Sequence, residues 1–551
     1  MTAPAMELDP VQVEIIRNAL VAAAEEMGVT IWRTSRSSVV RDLLDYSTCV
    51  FDADGGAVGQ STAIPIHLNS MPSCLAEILA NHIPIEEWED GDIIITNDPY
   101  AGGQHLSDIQ TFKPVFHEGR RIAIAGILVH HLDVGGGAAG SYDPSATEIQ
   151  QEGFRIPPLK IAERGKRNEA VVKLLLRQTR EPANVGGDFA SQLAALETGT
   201  ANLKRIVARY GPDLLAAAMA RIQDQSEAAM RAMIRDVPDG TYSFEDFVDD
   251  DGIDRDTRLR VAVTLTVDGD GMSIDLAGSS PQAKGPVNCT YAMAYSAAMC
   301  GVLMSLGTEI PANAGCYRPA KVTAPEGTVV NCRYPAPVAN RMATGHRVVN
   351  AVMGAFHQAI PGKVPAAYYG VSYATAMNCI HADGSRQVYF DLECGGWGGH
   401  PDEDGASGFS CGLHNISNAP MEMLENSLPI QFQEYALVPD SGGKGRTRGG
   451  LGLARAYRLE TPTGVFAANL DRFKVRPYGL AGGEPGQPGR LTVTRAATGE
   501  TEDLPSKVSS VPASKGDVFR LQTAGGGGYG DPADRSEAAK AADRENGYTS
   551  A

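Results

Sequence analysis

Two short stretches of this chain place imidazoles and carboxylates close together: Gly102-Gly103-Gln104-His105-Leu106-Ser107-Asp108 and Val129-His130-His131-Leu132-Asp133. His105 and Asp108 stand three apart on a glycine-rich segment, so one turn of backbone can aim both at a common ion. Imidazole nitrogen with carboxylate oxygen suits zinc, manganese or iron, whereas calcium and magnesium sites are built almost wholly from oxygen. His130 and His131 are adjacent, and in an extended strand they point to opposite faces, so a mononuclear site takes one of them. Spacing alone leaves open which one. The other is then available to hydrogen-bond, to orient a ligand or to bind substrate. Asp98 and Asp133 are alternative carboxylates, as ligands or as partners that fix imidazole tautomers. The competing reading is a set of strand-end residues hydrogen-bonded to loops.

The elements that must position these groups are two apolar runs, Ile93-Ile94-Ile95 and Ile122 to Val129, short and rich in β-branched residues. Each reads as a buried strand delivering polar residues at its end. Upstream, Asp9-Pro10 opens an amphipathic helix that Gly28 is expected to end. A strand is expected from Tyr46 to Asp52, with Asp45 just before it as a turn acid. From Glu163 to Asp236 charged and apolar residues alternate with helical spacing, broken near Pro182 and Gly211-Pro212. Beyond Pro238 the texture turns to strands and glycine-rich loops. Asp249-Asp250-Asp251-Gly252 lacks the spacing and the terminal Glu of a calcium loop and is expected to be a solvated turn. Arg341, His346 and Arg347 at the start of a further helix are assigned to structural ion pairs. Lys444, Arg446 and Arg448 are assigned to a solvated basic turn.

The chain has 551 residues, 43% of them hydrophobic, and can bury several cores. We expect an α+β fold of multi-layer mixed sheets with a helical layer and glycine-rich loops. Four regions are anticipated: an α/β metal-site region at 1–162, a helical segment at 163–237, a central α/β region at 238–430 and a β-rich, glycine-rich region at 431–551. The net charge of −18 argues against general nucleic-acid or anionic-membrane binding. The N-terminus has neither a basic leader nor a signal-length apolar run, and nine cysteines without a CxxC pair suit reduced thiols, so a cytoplasmic protein is expected. No GxxxxGK[ST] loop and no GxGxxG between a strand and a helix is present, so nucleotide chemistry has no recognisable seat here.

The segments DPVQVEIIRNAL, LDYSTCVFD, GDIIITNDPYAGGQHLSD, GILVHHLDVGG and AGGGGYGDP together resemble the hydantoinase B/oxoprolinase family, over residues 9 to 532. This family comprises B-type subunits of ATP-dependent hydantoinases, oxoprolinases and lactamases, with relatives in acetone and acetophenone carboxylases. The resemblance implies a divalent transition metal (Zn, Mn or Fe) held by an acid of an early DFS-type motif, the His and Asp of HLxD, and a His of a VHH-type motif. On matching positions these are Asp45, His105, Asp108 and His130, with Tyr46 where the family has Phe. It also implies a hetero-oligomer with an A-type, ATP-binding subunit that phosphorylates the carbonyl of a small cyclic amide. The metal is then expected to supply hydroxide or to polarise the activated carbon, with His131 or an unassigned pocket acid moving the proton. The alternatives are a subunit of an ATP-dependent ketone carboxylase and a non-catalytic scaffold.

Overall fold

The computed structural model describes residues 8–61, 63–307, 310–410 and 412–550, which form an α+β arrangement of four sheets with packed helices. The helix Pro10–Thr34 starts as its sequence dictates, with Asp9 accepting the Val11 amide at 3.0 Å. It does not stop at Gly28. That glycine is buried against Tyr46 and Thr48, and the helix runs on for six more residues because Ile31 is still buried.

The first sheet has seven strands: β1 (Tyr46–Phe51), β2 (Ala57–Gln60), β3 (Ile93–Thr96), β4 (Asp108–His117), β5 (Arg120–His130), β6 (Leu159–Glu163) and β7 (Lys166–Arg167). Their spatial order is β2-β1-β5-β4-β3-β6-β7, every pair antiparallel. Both faces are covered, which is why β5 reads as an unbroken apolar run rather than an alternating one. One face of β5, through Ala123, Ala125, Ile127 and Val129, joins a core with the helices Pro10–Thr34 and Pro182–Tyr210. The other, through Ile124 and Leu128, packs with Met71, Cys74, Leu75 and Ile78 of the helix Pro65–Asn81. This strict parity decides where the terminal histidines point.

The helices Glu169–Gln178, Pro182–Tyr210 and Pro212–Arg235 break where Pro182 and Gly211-Pro212 require. A four-stranded sheet follows, of Gly240–Val248, Leu259–Asp268, Gly271–Asp275 and Ala320–Thr323, with the helices Tyr291–Leu306 and Arg341–Ala359 packed beside it. Two further antiparallel sheets, of four and five strands, use residues from Tyr373 to Gln522. The glycine clusters at 395–399, 442–450 and 525–530 cross one another backbone to backbone. A Cβ at Gly526 would sit 1.8 Å from the Trp397 carbonyl, and one at Gly396 would sit 1.9 Å from that of Gly450. At these crossings the missing Cβ is what lets the chains approach.

The Asp249-Asp250-Asp251 turn is not solvated. All three acids are buried, and Asp249 accepts the amides of Phe473, Lys474 and Val475. Among the described residues no helix is long and apolar enough to cross a membrane.

Candidate metal centre

Asp108 begins β4 directly opposite His130, the last residue of β5. On the other side of β5, Tyr46 pairs with Val129, and the His130 amide donates to the Asp45 carbonyl at 3.1 Å. Asp45, His130 and Asp108 therefore lie side by side across three neighbouring strand ends. His105 arrives from the preceding loop, which reverses at Gly102 (φ 86°). A Cβ there would meet the Cys74 Cα at 2.6 Å, so the loop lies directly on the helix Pro65–Asn81.

The focus of the cluster is one oxygen, Asp108 Oδ1. His105 Nε2 lies 2.9 Å from it and His130 Nδ1 lies 3.2 Å from it. The ligand-capable atoms of His105, Asp108 and His130 all fall within 4.8 Å of one another. Asp45 reaches the group from the flank, with Oδ2 3.7 Å from His130 Nδ1. A residue unforeseen from sequence closes the ring: His67, in the first turn of the helix Pro65–Asn81. Its Nε2 stands 3.6 Å from Asp45 Oδ1 and 3.9 Å from Asp108 Oδ1, while Nδ1 faces the Ser47 hydroxyl at 3.3 Å. None of these five residues is more than 5% exposed.

Asp108 Oδ2 accepts a hydrogen bond of 2.9 Å from Arg341, the first residue of the helix Arg341–Ala359. Arg341 is thus a structural ion pair, as expected, but one made with the cluster itself. It also donates to Gln104 Oε1 and to the Tyr142 hydroxyl, each at 3.3 Å. Burial pushes the Asp108 carboxyl up, but His105 and Arg341 outweigh it and hold the group well below the usual range. Burial and the Arg341 charge bring His105 down to about 3, so its imidazole is neutral at pH 7. Burial likewise lowers His67. Tyr142 and Phe390 wall the cluster, their ring centroids 5.6 Å from His105 and 5.8 Å from His130 respectively.

A model of the hydantoinase B/oxoprolinase family matches residues 9–532. The chain belongs to that family. It is 34% identical over 565 residues to the beta chain of the caprolactamase of Pseudomonas jessenii, covering 98% of this chain and 94% of the relative. The B-type component of a putative D-/L-hydantoinase of Pseudomonas sp. strain NS671 is 30% identical, with 98% and 93% covered. The crystal structure of the ATP-dependent caprolactamase of P. jessenii superposes with a TM-score of 0.91 at 30% identity, covering 98% of this chain and 95% of that one.

Of the residues that the family resemblance points to, His105, Asp108 and His130 come together, with Asp45 on their flank beside His130, and imidazole nitrogen with carboxylate oxygen is a donor set that would suit a transition metal. His105 Nε2 touches the carboxylate at an angle that is not that of a hydrogen bond, and it is buried with no hydrogen-bond partner.

His131 is not part of this hydantoinase B-type cluster. It shares the parity of Ile127 and Val129, so it faces the helix Pro182–Tyr210, with Nε2 3.3 Å from Gln192 Oε1 and its ring beside Phe189. The expected role for it in proton transfer has no geometric support. Asp133 is likewise engaged elsewhere, with Arg180 at 2.9 Å and the amides of Gly135 and Gly140. Asp98 caps the turn Pro99–Ala101.

Proposed function

We propose that this chain is the metal-containing subunit of an ATP-dependent hydrolase of cyclic amides, opening a hydantoin, oxoproline or lactam ring. The observation that supports the reading is the buried cluster of imidazoles and carboxylates around Asp108 Oδ1. The substrate class rests on the relatives, one named as a component of a caprolactamase and another as a component of a hydantoinase. Asp45, His105, Asp108 and His130 would hold a divalent transition metal (Zn, Mn or Fe), with His67 beside them. Such an ion supplies Lewis acidity, drawing electron density from an oxygen brought against it.

The remaining work falls to this chain's own side chains. Arg341 fixes Asp108 through Oδ2 and leaves Oδ1 directed into the cluster. Neutral His105 offers a lone pair rather than a proton. Tyr142 and Phe390 keep bulk water from the reacting carbonyl, which strengthens every electrostatic contact there. Ring opening must deliver a proton to the departing nitrogen. We assign it to Glu152 in place of His131. Glu152 is buried, accepts the Val338 and Ala339 amides through Oε1, and keeps Oε2 without a partner. Burial raises its carboxyl to about 8, so it holds a proton at neutral pH, close enough to Arg341 to feel its charge.

Activation of the carbonyl by phosphorylation is assigned to an A-type partner subunit in a cytoplasmic hetero-oligomer. The test is hydrolysis of hydantoins, 5-oxoproline and lactams with and without ATP and that partner. Turnover only in the complete mixture is expected, and full activity from this chain alone would sink the two-subunit account. Incorporation of labelled bicarbonate would instead identify a ketone carboxylase.

A further inference from the structure

The last helix of the chain, Glu537–Glu545, closes over the glycine-rich segment 442–450 and leaves a cleft of about 200 Å³. Five cations line it, Lys444, Arg448, Arg535, Lys540 and Arg544, against two carboxylates, Asp440 and Asp543. With Asp404 and Glu537, which pair with Arg535 and Lys540, five cations still outnumber four acids, in a chain of net charge −18.

The floor of the cleft is rigid and its acids are engaged. Buried Asp543 bridges Arg448 at 3.2 Å and Arg535 at 2.7 Å. Asp404 holds the Arg535 fork through two contacts of 2.7 Å. Tyr548 stacks 5.1 Å from the Arg448 guanidinium. Asp440 accepts the amide and hydroxyl of Ser550, and Lys540 pairs with the exposed Glu537 at 2.8 Å. Lys444 and Arg544 differ: among the described residues neither makes an ion pair or a side-chain hydrogen bond. One stands on the glycine segment and the other on the final helix, so the two uncommitted cations flank the same space. Bare glycine backbone at Gly442 and Gly445 forms the wall beside Lys444.

We propose that this cleft binds a compact phosphate-type oxyanion, clamped between Lys444 and Arg544 over the fixed Arg448 and Arg535 guanidinium groups. Its volume is short of the roughly 300–1,000 Å³ of sites for larger ligands, which excludes a nucleotide and suits inorganic phosphate or the head of a small phosphomonoester. The Arg544 fork can match phosphate oxygens in geometry, Lys444 adds a mobile point charge, and Arg448 and Arg535, whose donors are taken by Asp404, Asp543 and backbone, contribute their field. The inference is independent of the activity proposed above.

The test is calorimetric titration of the purified full-length chain, at about 0.15 M salt, with inorganic phosphate, glycerol 3-phosphate and glutarate. Saturable binding of one or both phosphates is expected, with phosphate alone binding if the source is the free ion. Lys444→Gln and Arg544→Gln should each weaken it about tenfold, the double variant about a hundredfold, and Lys444→Arg should restore it. Both side chains are exposed, so folding is preserved, and metal content serves as a control for phosphate bound at the Asp108 cluster. No saturable phosphate binding, equal binding by the double variant, or tighter binding of glutarate would each overturn the proposal.

Discussion

Around Asp471 four buried carboxylates interlock with three buried cations and the half-exposed Lys474, whereas around Asp108 two carboxylates meet one guanidinium and three imidazoles. In the first cluster Asp471 takes Lys507 at 2.8 Å and also Arg347, Asp246 takes the Arg472 fork at 2.6 and 3.0 Å, and Asp250 takes Lys474 at 2.8 Å. Asp249 is satisfied by three backbone amides. Charge is balanced and the acids are answered, as a purely structural network requires. In the second cluster, with imidazoles counted as neutral, one negative charge is in excess and His105 Nε2 has no hydrogen bond. Density of buried charge is common to both regions. What separates a candidate site from a structural tie is the valence left over.

The contrast can be broken from either side. Asp471→Asn leaves Arg347 and Lys507 buried without their shared counter-charge. It should destabilise the chain by roughly 3–5 kcal/mol in urea unfolding and leave the metal content of the folded fraction unchanged. Loss of metal together with stability would show that the two clusters are one unit. Glu152→Gln probes the proton proposed near the cluster. The Glu152 carboxyl titrates at about 8 in the folded chain, above its ordinary 4.5. The folded state therefore binds more protons between those values, and stability is present below pH 4.5 and lost as pH rises towards 8. The variant should flatten that decline, by a few kcal/mol in order of magnitude. Unfolding midpoints at pH 6 and pH 9 measure it, and an unchanged pH slope would remove the assignment.

Much of this arrangement was legible in the sequence because strand parity is rigid. Once Ile122 to Val129 form a strand, His130 and His131 must part, and HLxD at the start of the preceding, paired strand meets one of them. Which face carries the site was not legible, since both faces of that strand are apolar and covered. Asp45 needed the family resemblance, because an acid before a strand carries no pattern of its own. His67 went unread: it sits in the first turn of a helix whose only local mark is Pro65, and its nearness to Asp45 is entirely tertiary. Asp249 and Asp250 looked solvated because their partners, 473 to 475 and Lys507, lie more than two hundred residues away, and Asp251 because it is satisfied by the amides of Lys284 and Gly285 across a loop.

Smaller effects sharpen the comparison. His67→Ala should weaken metal binding about tenfold to a hundredfold, read by competition with a chromophoric chelator; an unchanged affinity would place His67 outside the centre. His131→Gln should leave metal binding intact and shift stability by about 1 kcal/mol, the scale of one buried hydrogen bond. Loss of metal in that variant would contradict the parity assignment.

The most direct test of the central claim is elemental analysis of the purified chain alongside His105→Ala and Asp108→Ala, after expression with zinc, manganese and iron supplied. The account predicts about one transition-metal ion per chain in the parent and almost none in either variant. A parent chain without metal, or a His105→Ala chain that keeps it, would contradict the account.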